Sequence, residues 1–281
     1  KEIKSSMRDL GIDALIYFGG NDSADVLQSL GDDILMIHGA KTVDNDLPCS
    51  HHTPGFGSAA LFNAKAIRSL APDIFSYHKK IRESSGEIAY GEAPLIIYQV
   101  MGRDTGWLAL ATAFAKVDGA GVINLELHPD IIWPAEVLFD DERYLDSLRS
   151  TLFMHGKAFV VVSEGVSKLV DGKKVALAEL CGNTSKDAHN HIEYGRAEGS
   201  AANYIERLSK SLELNNIKKI KSTRILPQHL QRCYEISPVD SAEAFEVGRE
   251  TVRAVLDGNS KLSIVLQKEG SGSSLKTARI P

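Results

Sequence analysis

Short apolar runs that stop at glycine-bearing or polar turns, each followed by a helix-forming stretch, recur along this chain. That rhythm limits the fold more than any other feature. Ala14-Leu-Ile-Tyr-Phe18 is apolar throughout and ends at Gly19-Gly20. A strand apolar on both faces is expected in a buried parallel sheet. Met7 to Leu10 closes a helix before it, with Gly11 as the stop. Asn21-Asp-Ser23 offers N-caps for a helix running through Leu30. Ile34-Leu-Met-Ile37 reads as the next strand, ended by Gly39.

The rhythm continues downstream. Leu95 to Val100, Gly121 to Leu125 and Ala158 to Val162 read as strands. Helices are expected over Trp107 to Ala115, Pro134 to Leu152, Ala201 to Leu214 and Ser241 to Leu256. Alternating strand and helix predicts an α/β fold with mostly parallel sheets. At 281 residues the chain can form one large or two mid-sized domains, and its strand count suits two Rossmann-like lobes. Asn63 to Glu92 and Asn183 to Gly199 read as loops, and the Gly/Ser-rich tail Glu269 to Lys276 as a mobile end.

Composition removes several function classes. Thirty-seven acidic residues against 32 basic ones leave a net charge of −5, without the basic surplus that nucleic-acid binding normally needs. No apolar run approaches the ~18 residues of a membrane span, and the first residues carry no apolar signal core. Cys49, Cys181 and Cys233 are widely spaced and odd in number. A disulfide framework is not expected, and a cytoplasmic location is.

Ligands of α/β sheets bind beyond the carboxyl ends of strands, so the turns there hold the candidate chemistry. In Gly19-Gly20-Asn21-Asp22-Ser23 two glycines let backbone approach a ligand, and a helix N-terminus follows. The same residues also make an ordinary βα turn. Gly39-Ala-Lys41-Thr42-Val43-Asp44-Asn45-Asp46 gathers a cation, a hydroxyl and two carboxylates. An extended segment would aim Asp44 and Asp46 the same way, fit for base chemistry while the lysine neutralises a charged substrate. A solvated Asx-rich turn has the same composition. Arg103, flanked by glycines in Met101-Gly102-Arg103-Asp104-Thr105-Gly106, is placed to meet phosphate oxygens or to pair with Asp104. Glu164 ends the most apolar strand, where an acid can accept a bond from a sugar hydroxyl.

Other motifs fail on context. Gly55-Phe-Gly57-Ser-Ala-Ala60 has dinucleotide-loop spacing, but no strand precedes it. His51-His52, and His189 with His191 near Cys181, match no standard zinc spacing.

Taken in order, Gly-Gly-Asn-Asp-Ser, Lys-Thr-Val-Asp-Asn-Asp, Thr-Pro-Gly-Phe-Gly-Ser, Val-Met-Gly-Arg-Asp-Thr-Gly-Trp, Val-Val-Val-Ser-Glu-Gly and Leu-Gln-Arg resemble the signature blocks of the phosphofructokinase family. They are spread from Gly19 to Arg232. The resemblance implies two lobes with the active site in the cleft between them: a donor-binding lobe over 1–93 with a return at 236–262, and a sugar-phosphate lobe over 94–235 with the tail 263–281. It implies phosphoryl transfer to the 1-hydroxyl of fructose 6-phosphate, Asp44 as base and Asp46 as supporting acid. Thr42 and Val43 then lie at the substrates. Met101, Gly102 and Arg103 contact the sugar and the transition state, Glu164 binds the sugar, and His229 with Arg232 grips the 6-phosphate. Gly19, Gly20 and Ser23 face the donor.

ATP-using members of the family carry glycine at the position of Asp22 and usually lack a lysine at that of Lys41. The diphosphate-using branch resembles this chain at both. A carboxylate at Asp22 would stand where the α-phosphate of ATP lies, and in a half-buried site that repulsion costs on the order of several kcal/mol. Diphosphate, with Mg²⁺ bridging its oxygens, is therefore the expected donor. An ATP-dependent kinase and a non-catalytic regulatory member are the alternatives. Asn21 stands where ATP-using relatives have a metal-binding aspartate, and an amide is a weaker Mg²⁺ ligand. The family's opening strand and Gly-rich loop precede the point where this sequence begins. Arg224 and Arg82 are candidates for the arginines that members share across subunits, and a homodimer or homotetramer is expected.

Overall fold

The computed structural model describes residues 2–30, 34–76, 79–82, 88–118, 120–183, 185–186, 192, 194, 197–270 and 275–281. Along the chain run α1 (Glu2–Asp9), β1 (Ala14–Gly19), α2 (Asn21–Ser29), β2 (Leu35–Ala40), α3 (Phe56–Phe75), β3 (Lys79–Arg82) and β4 (Ile88–Val100). Then come α4 (Trp107–Ala111), β5 (Ile131–Trp133), α5 (Asp141–His155), β6 (Ala158–Ser163), β7 (Ser167–Val170), β8 (Lys173–Ala176), α6 (Leu177–Leu180) and α7 (Ala201–Lys210). β9 (Ile220–Ile225), α8 (Leu230–Cys233), α9 (Pro238–Leu256), β10 (Leu262–Lys268) and β11 (Leu275–Ile280) complete it. The architecture is α/β with mostly parallel pairing.

Two compact units form, Lys1–Ala59 with Tyr234–Pro281 and Ala60–Cys233. These borders differ from the expected ones. Residues 263–281 join the first unit because β10 pairs with β2 and β11 pairs with β10. Residues 60–93 fall in the second, where β3 pairs with β4.

The first unit holds a sheet in the order β1-β2-β10-β11, antiparallel only at β11. Val247 and Ala254 of α9 pack on Ile37, Ile264 and Leu266. β1 is not buried on both faces as its apolar run predicts. It lies at the edge of the sheet, and Tyr17 and Phe18 stay 41 % and 48 % exposed. β2 runs through Gly39 instead of stopping there. A Cβ on that glycine would come within 2.3 Å of the Phe18 ring carbons, so the ring lies over it where a side chain would otherwise push it aside.

The second unit carries β3-β4-β6-β5, with β9 on the other flank of β4. Leu95, Ile97, Val160, Val162, Tyr144, Leu148 and Leu152 are buried in one core. The expected strand at Gly121–Leu125 is absent. Val122, Ile123 and Leu125 are 62 %, 62 % and 71 % exposed, and the strand forms later at Ile131–Trp133, both of whose ends are buried. The helix expected from Pro134 begins only at Asp141, where Asp140 caps it by accepting from the Arg143 N–H at 2.9 Å. The helix at Trp107 tightens to a 3₁₀ turn from Thr112, and the one from Ala201 ends at Lys210.

Most of the expected loop at 63–92 is regular structure. Ala64, Ile67, Ala71 and Ile74 are buried at helical spacing, which holds α3 together through Phe75 despite Pro72. In the tail, 271–274 lie outside the described residues, while Leu275–Ile280 is a strand. Most of 183–199, with His189 and His191, also lies outside them. No helix among the described residues is long and apolar enough to cross a membrane.

Candidate active site

In the first unit β1 and β2 run parallel in register, Gly19 opposite Ala40, so their carboxyl ends emerge together. The backbone N–H of Lys41 donates to the Gly19 carbonyl at 3.0 Å. Gly19 has no room for a side chain: a Cβ would lie 1.9 Å from Ser23 Oγ. Gly20 sits beside Thr42, 3.6 Å from the Thr42 Cβ if it bore a Cβ of its own. Gly20 is also the N-cap of α2, and no side chain caps that helix, contrary to the expectation for Asn21-Asp-Ser23. The Asn21 amide is engaged elsewhere, donating to Asp46 Oδ2 at 2.8 Å.

The turn after β2 folds around its own polar groups. Thr42 Oγ1 accepts from the Asp44 N–H at 3.2 Å. Asn45 takes φ +56°, so the segment between the two aspartates is not the extended one expected. Asn45 Oδ1 accepts from the Thr53 N–H at 3.0 Å, and the Thr53 hydroxyl donates to the Thr42 carbonyl at 2.7 Å. Val43 is buried, Thr42, Asp44 and Asp46 are half-buried, and Lys41 and Asp22 are exposed. Exposure changes the scale of the charge argument. In water-like surroundings two like charges 4 Å apart repel by about 1 kcal/mol, not several.

In the second unit β4, β6 and β9 are parallel and present their carboxyl ends side by side. The Glu164 N–H donates to the Val100 carbonyl at 3.0 Å and the Gly165 N–H to the Gly102 carbonyl at 3.2 Å. A Cβ on Gly165 would lie 1.7 Å from the Arg103 carbonyl oxygen. The Met101–Arg103 turn therefore rests on the Glu164–Gly165 turn. Gly102 adopts φ +124° and abuts the Thr105 carbonyl, which no L side chain there would tolerate. Beyond β9, Arg232 Nη2 donates to His229 Nδ1 at 2.5 Å, which leaves the imidazole proton on Nε2. The structure thus gathers Met101, Gly102, Arg103 and Glu164 at one strand edge, and joins His229 to Arg232.

Some residues escaped the sequence reading. Tyr194 feels both Glu164 and Arg103. Burial, then the Glu164 carboxylate, push its phenol up to about 12, while Arg103 opposes. It lies in a stretch with no periodic signal. Asp240, Asn63 and Gln231 are buried polar residues that support the turns. Gln231 stood inside the Leu-Gln-Arg block, but nothing local marked it as buried.

Arg224 is not a spare cation. It pairs with Glu206 at 2.9 Å and Glu198 at 3.2 Å within its own unit. The Arg82 side chain lies outside what is described. His51 and His52 share a hydrogen bond of 3.0 Å, and His52 bonds Glu243 at 2.7 Å. No group of three His, Cys, Asp or Glu side chains among the described residues is arranged to hold a metal ion.

Each of the two α/β units carries glycine-bearing, charged turns at the carboxyl edges of its parallel strands, the edge at which ligands of α/β sheets bind. The phosphofructokinase family model matches residues 1–255, and the chain belongs to that family. It is similar to the pyrophosphate--fructose 6-phosphate 1-phosphotransferase of Rhodospirillum rubrum, 28 % identical over 96 % of this chain and 62 % of the relative. The enzyme of the same name from Methylococcus capsulatus is 32 % identical over 87 % of this chain and 53 % of its own length. The crystal structure of a pyrophosphate-dependent phosphofructokinase from Nitrosospira multiformis superposes with a TM-score of 0.69 at 25 % identity, over 98 % of this chain and 60 % of that one. The chain spans about half to three fifths of the length of these relatives.

Proposed function

We propose that the protein transfers a phosphoryl group reversibly between diphosphate and the 1-hydroxyl of fructose 6-phosphate, giving fructose 1,6-bisphosphate and phosphate. The observation that carries this reading is the pairing of β1 with β2. It sets Lys41 and the Thr42–Asp46 turn beside the Gly19–Ser23 turn that bears Asp22. The names of the relatives point the same way.

In this reading Asp44 takes the proton of the sugar 1-hydroxyl as its oxygen attacks the nearer phosphorus. The bond from that phosphorus to the bridging oxygen breaks, and phosphate leaves with the electron pair. Asp46, held by Asn21, is the supporting acid in the same turn, and Lys41 and Arg103 neutralise oxygens in which charge accumulates. Glu164 accepts from a sugar hydroxyl, and His229 Nε2–H with the Arg232 guanidinium holds the 6-phosphate. The oxygen donors of Asp44 and Asp46 suit Mg²⁺. They suit an ion carried mainly by diphosphate and water, because Mg²⁺ is usually held by one or two carboxylates plus substrate phosphates. When bound, Mg²⁺ supplies charge neutralisation on the donor oxygens. A homodimer or homotetramer is the assembly expected, and sedimentation showing monomer alone refutes that part.

Initial rates with diphosphate and with ATP test the reading. Diphosphate should be preferred. Lys41→Gly should depress the diphosphate rate, and Asp22→Gly should raise the ATP rate at least about fivefold, the factor that ~1 kcal/mol of relieved repulsion gives. Asp22→Asn separates charge from bulk. A wild type that prefers ATP overturns the donor assignment, and one that phosphorylates fructose 6-phosphate with neither donor overturns the activity.

A further inference from the structure

Behind the Met101–Arg103 turn lies a buried chain of hydrogen bonds with no part in the chemistry above. The Tyr98 hydroxyl donates to Asn63 Oδ1 at 2.9 Å. The Asn63 amide donates to Gln231 Oε1 at 3.0 Å, and the Met101 backbone N–H donates to the same oxygen at 3.2 Å. Tyr98 and Asn63 are fully buried and Gln231 is 3 % exposed. The orientation of each amide follows from its neighbours. The Met101 N–H can only donate, so Gln231 must turn its oxygen to it; Asn63 then gives its NH₂ to that oxygen and turns its own oxygen to the phenol, which donates. Gln231 then receives two donors on one oxygen and turns its own NH₂ to the Gln228 carbonyl, 3.4 Å away.

The position of Gln231 gives this network its consequence. It stands between His229 and Arg232, on a helix of four residues, Leu230–Cys233. So short a helix does not hold itself in place. Its seat is set by what its buried side chain meets, and Gln231 meets the backbone of Met101, where the other sugar-facing turn begins. Burying a polar side chain without partners is costly, so the amide is seated only where Asn63 and the Met101 N–H are offered together.

We propose that Gln231, oriented by Asn63 and Tyr98, is a positioning residue. It fixes the spacing between the His229–Arg232 pair and the Met101–Arg103 turn, and so sets the affinity for the sugar phosphate without touching it. The proposal rests on the assignment of those residues to fructose 6-phosphate.

The test compares Gln231→Met, which keeps length and removes the acceptor, with Tyr98→Phe, a milder change two hydrogen bonds away. For Gln231→Met, which removes both bonds to Oε1 and lets the two turns drift apart, the KM for fructose 6-phosphate should rise about tenfold, with the KM for diphosphate unchanged. Tyr98→Phe should shift the same constant in the same direction by a few-fold. Hydrogen exchange gives a readout independent of turnover: the Met101 amide should lose protection in Gln231→Met while the Leu95–Tyr98 amides keep theirs. An unchanged KM for fructose 6-phosphate, or equal rises in both KM values, overturns the inference and leaves the reading of the site intact. A wild type that does not use fructose 6-phosphate overturns both, and retained protection at Met101 overturns the inference whatever the substrate.

Discussion

Asp240 offers the sharpest test of how the turn around Thr42 is held. It lies in the first turn of α9, 3 % exposed, and its carboxylate closes the start of α3. Oδ1 accepts from the Gly55 N–H at 2.7 Å and Oδ2 from the Ser58 N–H at 2.9 Å. Ser237 returns the contact, donating its N–H to Ser58 Oγ at 3.0 Å. Asp240→Asn keeps the shape and replaces one acceptor with an NH₂ that faces a backbone N–H. One charge-assisted bond is lost, about 2 kcal/mol, and a buried donor is left opposed, about 1–2 kcal/mol more. The negative charge at the N-terminus of α3 goes too, about 0.5 kcal/mol. The expected loss is about 4 kcal/mol, or roughly 8 °C in Tm for a chain of this size. Urea titration of both proteins measures it. Activity should fall as well, because Gly55 bridges to Thr42 and Thr53 bonds the Thr42 carbonyl. A loss below about 1 kcal/mol would show that the carboxylate does not carry these two bonds, and the account of the turn would fail.

Two further outcomes follow from close contacts and burial. Gly165→Ala puts a Cβ 1.7 Å from the Arg103 carbonyl oxygen, so the Arg103 turn must shift, and kcat should drop at least about tenfold while circular dichroism stays native; an unchanged kcat refutes the placement of Arg103. His38 is buried, with Nε2 donating to the Gly19 carbonyl at 2.9 Å and Nδ1 accepting from Ser263 at 3.2 Å. Burial holds its pKa below the ordinary 6.5, so the unfolded chain binds the proton first as pH falls. Stability should be full above pH 6.5 and decline as pH drops through 6.5 toward the lowered folded value. His38→Gln, whose NH₂ can replace Nε2 at the Gly19 carbonyl without titrating, should flatten that decline in urea midpoints, and an unaltered slope would assign it to other groups.

The turns were legible because their chemistry is local. Gly19 is excluded from bearing a side chain by Ser23, four residues away, and Gly102 by Thr105, three away. Sequence reading reaches such distances. The parallel strands Leu95–Val100 and Ala158–Val162 were equally plain, since a fully buried strand needs no alternation. What failed depended on partners far along the chain. Tyr17 and Phe18 look like core residues until the sheet order leaves β1 at an edge. Val122 and Ile123 look like a strand until the space beside β6 goes to Ile131–Trp133. Asp240 and Gln231 pair across 185 and 168 positions, and no local pattern announces either.

Charge was the intermediate case: its sign was readable, its surroundings were not. In the proposed reading Asp22 opposes ATP, and a cost of several kcal/mol needs a half-buried carboxylate, whereas the residue is exposed. Solvent screening reduces that repulsion to about 1 kcal/mol. A second effect acts in the same direction. Asp22 occupies the first turn of α2, where a carboxylate offsets the partial positive charge of the helix end that would otherwise face an incoming phosphate. Both effects are electrostatic, and together they discriminate by about tenfold. Any larger exclusion of ATP by this residue must come from the volume of the Asp22 side chain, apart from the gain that Lys41 gives diphosphate. Asp22→Asn keeps that volume and removes the charge, whereas Asp22→Gly removes both. If the two variants gain ATP activity equally, charge is the whole mechanism; if only the glycine variant gains it, the side chain excludes the nucleotide by filling its place.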